Sequence, residues 1–399
     1  MAASTQGSAN ARGLAAMAAV QPRWCAVRPA AQAVGLPART LLHAGPPYAD
    51  GASPAAPVLS SMALVCVHEG WAHDAEEGAA LVLSGAVRCL PAQDAGVVLP
   101  LAAVAGPGTP LVGVADGDTA PTAWSLLGSG AGPQLRFGTR DAAILARLRW
   151  RDAVLAPCLD AWVSHAPIDL LPLARAGLAN GDDLHASTSA AQAALNAVLP
   201  PRLSQAEPGV AAMLSASPLF FLTLWMAACL RMMQAAIDIG DPASTLVVAL
   251  AGNGRDLGLR LAGQPERWFV SPAPTPAGPR IDPAGTAQAG PLVGDSGVID
   301  AAGFGAQALR HAPAILAALG DWLPEDWHER PARLGQMAHP AFTELGVSVG
   351  ADAASGAAPL AAIAMVAADG ATGLLGRGIV QCSPGIFTQA ARSVTDGAA

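Results

Sequence analysis

The chain has 399 residues, of which 52% are hydrophobic and 13% charged, with a formal net charge of −8. This length allows two or three domains with their own cores, and the acidic balance argues against nucleic acid as a partner. All 22 basic residues are arginine, which excludes Schiff-base enzymes, Walker-type phosphate loops and other chemistry that needs a lysine.

The cysteines and the apolar runs bear on where the protein works. Six cysteines are scattered without a C-x-x-C pair, so we expect reduced thiols, a cytoplasmic location and no metal site. Residues 1–21 are rich in alanine and are expected to form a disordered leader rather than a signal peptide. The longest apolar run, Leu219 to Leu230, is shorter than the ~20 residues of a membrane span. A buried core helix is predicted there, and no membrane partner.

Residues 22–140 are predicted to form an N-terminal α/β domain. Short runs typical of strands alternate there with Gly and Pro turns and one helical stretch. The strand-like runs are Thr40–His43, Ser61–Val67, Gly96–Pro100 and Leu111–Val114, and the helical stretch is Glu76–Ser84.

A helical domain is predicted next, over residues 141–240, because apolar residues recur there at three-to-four spacing. Residues 241–399 are predicted to form a C-terminal mixed α/β domain. It begins with a strand at 244–250, a hairpin-type turn at Gly252–Gly254 and a return strand at 257–261. The whole chain is therefore placed in the mixed α/β (α+β) class.

The most concentrated polar block is Gly181-Asp182-Asp183-Leu184-His185, directly before a helical run at Ser187–Leu199. Two carboxylates and an imidazole beside a helix start suggest acid–base chemistry on a small anion. We therefore take His185, Asp182 and Asp183 as candidate catalytic residues. Helix capping by the aspartates is the structural alternative. A metal ion on these side chains is less favoured, because adjacent carboxylates on a turn point apart.

Three other motifs resemble known signatures incompletely. Gly294–Gly297 resembles the nucleophile loop of trypsin-like proteases, but a half-helical chain without disulfides does not suit that fold. His68 and His73 lack the i, i+4 spacing of a zinc-binding pair on a helix. Gly303–Gly305 is a partial dinucleotide fingerprint without its acidic residue about 20 positions on. A nicotinamide-dependent oxidoreductase is thus a remote alternative, and no cofactor is predicted.

Taken in order, short blocks across the chain resemble the YlbE-like family, whose members are similar to a subunit of oxamate carbamoyltransferase. The blocks extend over nearly the whole chain and keep the family's order and spacing. They are Leu42–Pro47, Glu69–Trp71, Leu135–Gly138, Gly181–His185, Asn253–Gly254, Gly258–Arg260, Trp268–Phe269, Gly294–Ser296 and Gly376–Val380.

The resemblance implies a three-part architecture and a place in a carbamoyl-transfer system. In that system phosphate splits oxalurate into oxamate and carbamoyl phosphate during allantoin (purine) breakdown. The expected partners are a small anionic ureido acid, phosphate or carbamoyl phosphate, an FdrA-type subunit and further copies of the chain in a homo-oligomer. The candidate substrate-binding residues are His43, Asn253, Gly254, Arg255, Asp295, Ser296 and Arg377.

On this hypothesis His185 supplies or relays a proton to the departing amide nitrogen, and Asp182 or Asp183 orients it. Backbone amides near Asn253-Gly254 and Asp295-Ser296 would hold the oxyanion or the phosphate.

The chain departs from the family pattern at several polar positions. Where the family carries Arg, Asn, Arg, Asp and Glu, this chain has, in that order, Ser187, Thr188, Gly252, Leu292 and Asp300. Loss of two arginines weakens an anion site, unless it is rebuilt around Arg136, Arg255 (the expected counter-charge) or Arg377. The alternative function is therefore a structural or regulatory subunit without catalysis.

Overall fold

A computed structural model describes residues 2–128, 130–198 and 207–397 of the chain. Helices and strands alternate throughout this part, and the strands form several sheets. The mixed α/β class predicted from the sequence is confirmed.

The strands, numbered in chain order over the described residues, are β1 Pro22–Pro29, β2 Thr40–His43, β3 Arg88–Pro91, β4 Val97–Val98, β5 Val104–Ala105, β6 Pro110–Asp116, β7 Ala123–Leu126, β8 Ile168–Asp169, β9 Val247–Asn253, β10 Asp256–Leu261, β11 Gln264–Pro272, β12 Val293–Gly294, β13 Met337–Ala338, β14 Ser348–Val349, β15 Leu360–Val366 and β16 Leu374–Gln381.

The α-helices of the same ranges are α1 Ala2–Ala19, α2 Ala30–Ala33, α3 Ala56–His68, α4 Ala75–Leu83, α5 Ala143–Trp150, α6 Ala156–Val163, α7 Leu170–Ala179, α8 Ser189–Val198, α9 Pro208–Ser215, α10 Phe220–Asp238, α11 Gly297–Ala301, α12 Pro313–Leu319, α13 Arg330–Arg333 and α14 Pro384–Gly397. A π-helical turn, Arg151–Leu155, joins α5 to α6.

Two larger sheets organise the described part of the molecule. One has the order β4-β7-β6-β1-β8, antiparallel except for the parallel pair β4–β7. The other has the order β11-β10-β9-β12 and is antiparallel throughout. The predicted hairpin is present there as β9 and β10, with Gly254 and Arg255 between the strands. A separate antiparallel pair, β15–β16, forms one wall of the cavity described below.

Helix α10 is the central core helix, and its side chains are buried without interruption from Phe220 to Leu230. Among the described residues it is the one helix long and apolar enough to cross a membrane, but most of it lies inside the protein. This confirms the buried helix predicted from the run at 219–230. Trp225 is fully buried and packs edge-on against Phe304 with ring centroids 4.9 Å apart, which ties the helix to the C-terminal part.

The expected disordered leader is wrong, because α1 is a helix that packs on the core. Leu14 and Met17 are buried, and the Asn10 side chain donates to the Thr245 hydroxyl and accepts from the Thr245 backbone amide, both at 2.9 Å. Gly13 allows the close approach, since a Cβ there would lie 2.6 Å from a Leu246 methyl. The sequence of α1 has few charged residues, so the side of the helix that packs on the core becomes apparent only when the surface it contacts is known.

The strand expected at Ser61–Val67 is also wrong, since these residues lie inside α3. A short apolar run does not distinguish a strand from a helix that is buried on most sides. The other runs are at or near strands β2, β4 and β6, and the helical stretch is α4. Helix α8 ends at Val198 within the described residues, and Leu199 lies outside them.

The proposed boundaries at residues 140 and 240 stay a prediction. The described part of 141–240 is mainly helical, with only the short strand β8. However, buried side chains from all three parts, from Leu14 to Val394, belong to one continuous apolar cluster. The three parts therefore share a core.

Replacing Trp225 by Ala is expected to lower the free energy of unfolding by about 3–5 kcal/mol, because it removes a fully buried aromatic side chain. Urea denaturation monitored by circular dichroism measures the change. Trp322→Ala is the matched control, since Trp322 is 37% exposed and its loss should cost much less. Equal losses in the two variants would contradict this account of the core.

Candidate functional site

A cavity of about 590 Å³ lies beside His185 in the described structure. Its walls come from the loop after β4, the turn 135–137, the loop before α8 and the β15–β16 pair. Most of the lining is apolar. The polar side chains on its wall are His185, Ser296, Arg136, Arg280 and Arg377.

His185 is held by a buried carboxylate from another part of the chain. Its Nδ1 lies 2.7 Å from Oδ2 of Asp300, and His185 and Asp300 are 5% and 0% exposed. With Asp300 ionised, Nδ1–H donates to the carboxylate, and Nε2 is left to meet a ligand in the cavity. The pair therefore presents one ring nitrogen of His185 in a defined tautomer.

The environment raises the pKa of His185. Burial acts to lower this pKa, but the charge and hydrogen bond of Asp300, with a further contribution from Asp183, outweigh burial. The imidazolium form is thus retained to higher pH than in an exposed histidine. A histidine of this kind suits proton donation to a departing group near neutral pH.

Gly305 allows His185 and Asp300 to approach each other. A Cβ at this position would lie 2.5 Å from Oδ1 of Asp300 and 2.9 Å from Cβ of His185. Its φ of 59° also lies in the region that favours glycine, and its amide donates to the Asp183 carbonyl at 2.8 Å. The glycine turn that resembled a dinucleotide motif therefore closes around the His185 side chain.

Asp182 and Asp183 do not contact the imidazole, contrary to the expected orientation of His185 by either of them. Asp183 accepts from the backbone amides of His185, Ala186 and Ser187 at 2.8–3.2 Å. Asp182 accepts from the Ser187 hydroxyl and from the Ala191 amide. The two carboxylates fold the loop and the start of α8, which is the structural alternative considered above, and Asp300 orients the ring.

Three arginines give the cavity its positive charge. Arg136 has no carboxylate partner among the described residues; its buried Nε lacks a hydrogen bond, and burial lowers its pKa to about 10. Arg280 donates to the Ala287 carbonyl at 2.6 Å, and its Nε is also unpaired. Arg377 extends from β16 at the exposed rim. Guanidinium groups in apolar walls favour an anionic ligand.

Two residues beside the cavity have backbone conformations uncommon for side chains other than glycine. Leu101 has φ 49° and lines the cavity, and Leu184, which precedes His185, has φ 70°. Such strain persists only where the surrounding contacts hold it, and it is concentrated at functional sites.

Among the predicted substrate-binding residues, Ser296 and Arg377 line the cavity together with His185. The others lie elsewhere and bind the protein itself. The residues that the structure places outside the cavity lining are His43, Asn253, Gly254, Arg255 and Asp295.

Asp295 joins three segments of the N-terminal part to the C-terminal part. One carboxylate oxygen accepts from the Gly45 amide at 3.0 Å and from Gln93 Nε2 at 2.8 Å, and the other accepts from the Leu99 amide at 2.8 Å. Asp295 is fully buried, and burial, opposed by these hydrogen bonds and by Arg260, raises its pKa to about 7. Its structural contacts account for its burial.

The Asn253 turn is also internally satisfied. The Asn253 amide group donates to the Pro46 carbonyl, while its oxygen accepts from the amides of Arg255 and Asp256. Arg255 Nε donates to the Ser53 carbonyl. Two of the backbone amides expected to bind an oxyanion already have partners within the protein. The Gly254 amide donates to the Leu292 carbonyl, and the Asp295 amide donates to the Leu99 carbonyl. His43 is buried next to Tyr48, and burial lowers the pKa of His43 to about 4.

Two departures from the family pattern contact each other. A Cβ at Gly252 would lie 2.1 Å from a Leu292 methyl carbon, so Leu292 packs directly over the glycine. No arginine fits at position 252 in this arrangement. The charged residues absent here are therefore replaced by an apolar contact outside the cavity, while the cavity keeps three arginines.

Asp300 and Arg280 are the site residues that the sequence argument did not select. In the sequence Asp300 stands out only as a shorter residue where the family is expected to carry Glu, and Arg280 lies in a Pro/Gly-rich stretch without a motif. An acidic residue in an apolar segment, Val298-Ile299-Asp300-Ala301, was the available signal, since a buried carboxylate needs partners.

The comparisons agree with a carbamoyltransferase-related family. The family model described as oxamate carbamoyltransferase subunit AllG matches residues 87–296. The protein of that name from Escherichia coli (strain K12) is 29% identical, and the match covers 97% of each chain. An uncharacterized protein, YahG, from the same strain is 30% identical over 87% of this chain and 76% of its own length. The similarity to an oxamate carbamoyltransferase subunit is confirmed; the name YlbE-like is not.

A solved structure shares the whole fold. It is the crystal structure of a conserved protein of unknown function from Enterococcus faecalis V583, with a TM-score of 0.90 and 24% identity. The match covers 99% of each chain, so the arrangement of all three parts described above is found in an independent protein.

Replacing Asp300 by Asn is expected to lower the pKa of His185, because burial then acts with less opposition from a carboxylate charge. A ¹⁵N-imidazole NMR titration measures the value directly. Asp182→Asn is the matched control, since Asp182 contacts Ser187 and Ala191 instead of the ring. An unchanged His185 titration in Asp300→Asn would contradict the assigned pairing.

The buried Asp295 is expected to make stability depend on pH. Its folded pKa of about 7 exceeds the unfolded value of about 4, so the folded state binds more protons between these values. The Asp295 contribution to the free energy of unfolding therefore falls as pH rises from 4 to 7 and is constant above. Urea denaturation across this range should show that slope reduced in Asp295→Asn and unchanged in the surface variant Asp50→Asn. A slope equal in all three proteins would contradict the raised pKa.

Proposed function

The chain belongs to the family of the oxamate carbamoyltransferase subunit AllG, and on this premise we propose that its cavity binds the anionic substrate of a carbamoyl transfer. The observation that carries the proposal is the buried His185–Asp300 pair facing a cavity with three arginines. A proton donor and cations in one apolar site are what cleavage of an anionic ureido acid requires.

The reaction we propose is phosphorolysis of oxalurate or a related ureido acid. A phosphate oxygen bonds to the carbamoyl carbon, and the bond between that carbon and the amide nitrogen breaks. The phosphate proton is transferred to the departing nitrogen, so the products are oxamate and carbamoyl phosphate. His185 relays this proton through Nε2, while Asp300 acts as a positioning residue.

The arginines take the charged ends of the substrate. Arg377 at the rim and Arg280 in the wall are placed to bind the carboxylate, and Arg136 lies deeper beside Phe137. The Ser296 hydroxyl is a further donor on the wall. Because the remaining lining is apolar, these pairs act in a medium that screens charge less than water does.

A non-catalytic structural or regulatory subunit is the second candidate. The arginines that the resemblance leads us to expect at positions 187 and 252 are missing, which favours it, whereas the Gly252–Leu292 contact lies outside the cavity lining. In either case we propose a cytoplasmic protein that acts with partner subunits, an FdrA-type protein among them, since the Escherichia coli relative is named as a subunit.

Arg377→Met is expected to weaken oxamate binding about 10- to 150-fold, the equivalent of about 1.5–3 kcal/mol for a charge-assisted pair. Isothermal titration calorimetry with oxamate measures the dissociation constant. Arg255→Met is the matched control, because Arg255 lies outside the cavity and bonds to Ser53. Equal losses in both variants would place the anion at the Asn253 turn and contradict the assigned cavity.

His185→Ala separates the two candidate functions when turnover is measured in the complex reconstituted with its partner subunits. A catalytic role predicts loss of oxamate formation from oxalurate, with oxamate binding largely retained. Unchanged turnover, with the complex intact, would assign catalysis to another subunit. Asp182→Asn, a substitution outside the cavity, controls for general effects on assembly.

A further inference from the structure

A second cavity, of about 290 Å³, adjoins the first on the other side of a shared wall. Its lining is mostly apolar, and its one charged side chain beyond that wall is Arg151. The residues common to both cavities, which form this shared wall, are Pro100, Arg136, Phe137 and Leu219.

Arg151 is almost fully buried, at 1% exposure. Its Nε donates to Oδ1 of Asp152 at 2.7 Å, and the other oxygen of Asp152 lies 2.6 Å from Nε2 of His68. The structure gives the terminal nitrogens of Arg151 no hydrogen bond within the described residues, and the side chain lines the second cavity. Half of the guanidinium is thus fixed, and the other half is open to a ligand.

The backbone that carries Arg151 is unusual. Arg151 begins the π-helical turn Arg151–Leu155 between α5 and α6. Such turns insert an extra residue into a helix, are rare and are frequently found at functional sites. Here the π turn directs Arg151 into the cavity and the next residue, Asp152, towards His68.

Arg136 supplies the second cation from the shared wall. It stacks on the Phe137 ring at 5.0 Å, its Nε lacks a partner, and no carboxylate pairs with it within the described residues. Two guanidinium groups thus face one small apolar cavity. Asp152 pairs with Arg151, and Glu69 also acts on Arg151 electrostatically, whereas the charge of Arg136 has no carboxylate partner within the described residues. An uncompensated charge in such a place is costly, and a bound anion would neutralise it.

We propose that the second cavity is an anion subsite, in which Arg136 and Arg151 together bind a small multiply charged oxyanion of the size of phosphate or sulfate. No Asp, Glu, His or Cys belongs to its described lining, so the site binds the ion without supplying an acid or a base. This subsite does not depend on carbamoyl transfer in the first cavity. Through Arg136, an ion in the second cavity lies next to a ligand in the first.

Two variants test the subsite by different means. Arg151→Met removes the cation, and Gly128→Val fills the cavity while leaving both arginines in place. A Cβ at Gly128 meets only a Phe220 ring carbon at 3.8 Å, so the backbone tolerates the change. Gly7→Val, at an exposed glycine of α1 with no atom within 4 Å of the added Cβ, is the matched control. Circular dichroism checks that each variant is folded.

Isothermal titration calorimetry with inorganic phosphate, with sulfate and with oxamate gives the readout. We expect Arg151→Met and Gly128→Val to weaken sulfate binding by about tenfold or more and to remove one of the phosphate sites, with oxamate binding and the Gly7→Val control unchanged. Phosphate is also the proposed co-substrate in the first cavity, so sulfate is the deciding ligand. Sulfate binding that both variants retain would overturn the subsite while leaving the proposed function intact. Sulfate binding that depends on Arg151 in a protein that does not bind oxamate would support the subsite and remove the proposed function.

Discussion

The buried carboxylate of Asp300 is the interaction on which the candidate site depends. One oxygen binds Nδ1 of His185, and the other accepts from the backbone amides of Ala306 and Ala362. These three partners come from the loop before α8, the turn after α11 and strand β15. A carboxyl group buried without such partners would be strongly unfavourable, so the folding of these three segments and the burial of this side chain depend on each other.

This arrangement explains why the histidine and the cavity occur together. Ala362 belongs to the strand that forms one wall, and Asp300 joins this strand to His185, which also lines the cavity. Gly305 lies against both members of the pair and leaves no room for a side chain. The geometry of His185 is therefore set by packing in the core, so a ligand entering the cavity would meet a ring whose orientation is already determined.

Positive charge is the second constraint. The cavity walls are apolar, yet they contain Arg136, Arg280 and Arg377, and Arg151 lies just beyond the shared wall. Within the described residues only Arg151 of these four has a carboxylate partner. In a chain with net charge −8, this local excess of cations favours anions at one place on the molecule. The apolar contact between Gly252 and Leu292 lies outside the cavity lining and does not alter this charge.

The sequence alone determined the mixed α/β class, the core helix at 219–230 and the β9–β10 hairpin, because these depend on local periodicity and turn chemistry. It also predicted His185 as a candidate site residue from the rarity of charge. Tertiary structure alone decided which carboxylate orients His185, since Asp300 is distant in sequence and the adjacent Asp182 and Asp183 bond to backbone amides instead. The same holds for α1, whose helix depends on the surface around Thr245. It also holds for Asp295 and Asn253, whose polar groups are satisfied within the protein, and for Arg255, whose Nε donates to the Ser53 carbonyl. A pattern shows that a polar residue is unusual, but only the folded chain shows whether its hydrogen bonds go to the protein or remain available to a ligand.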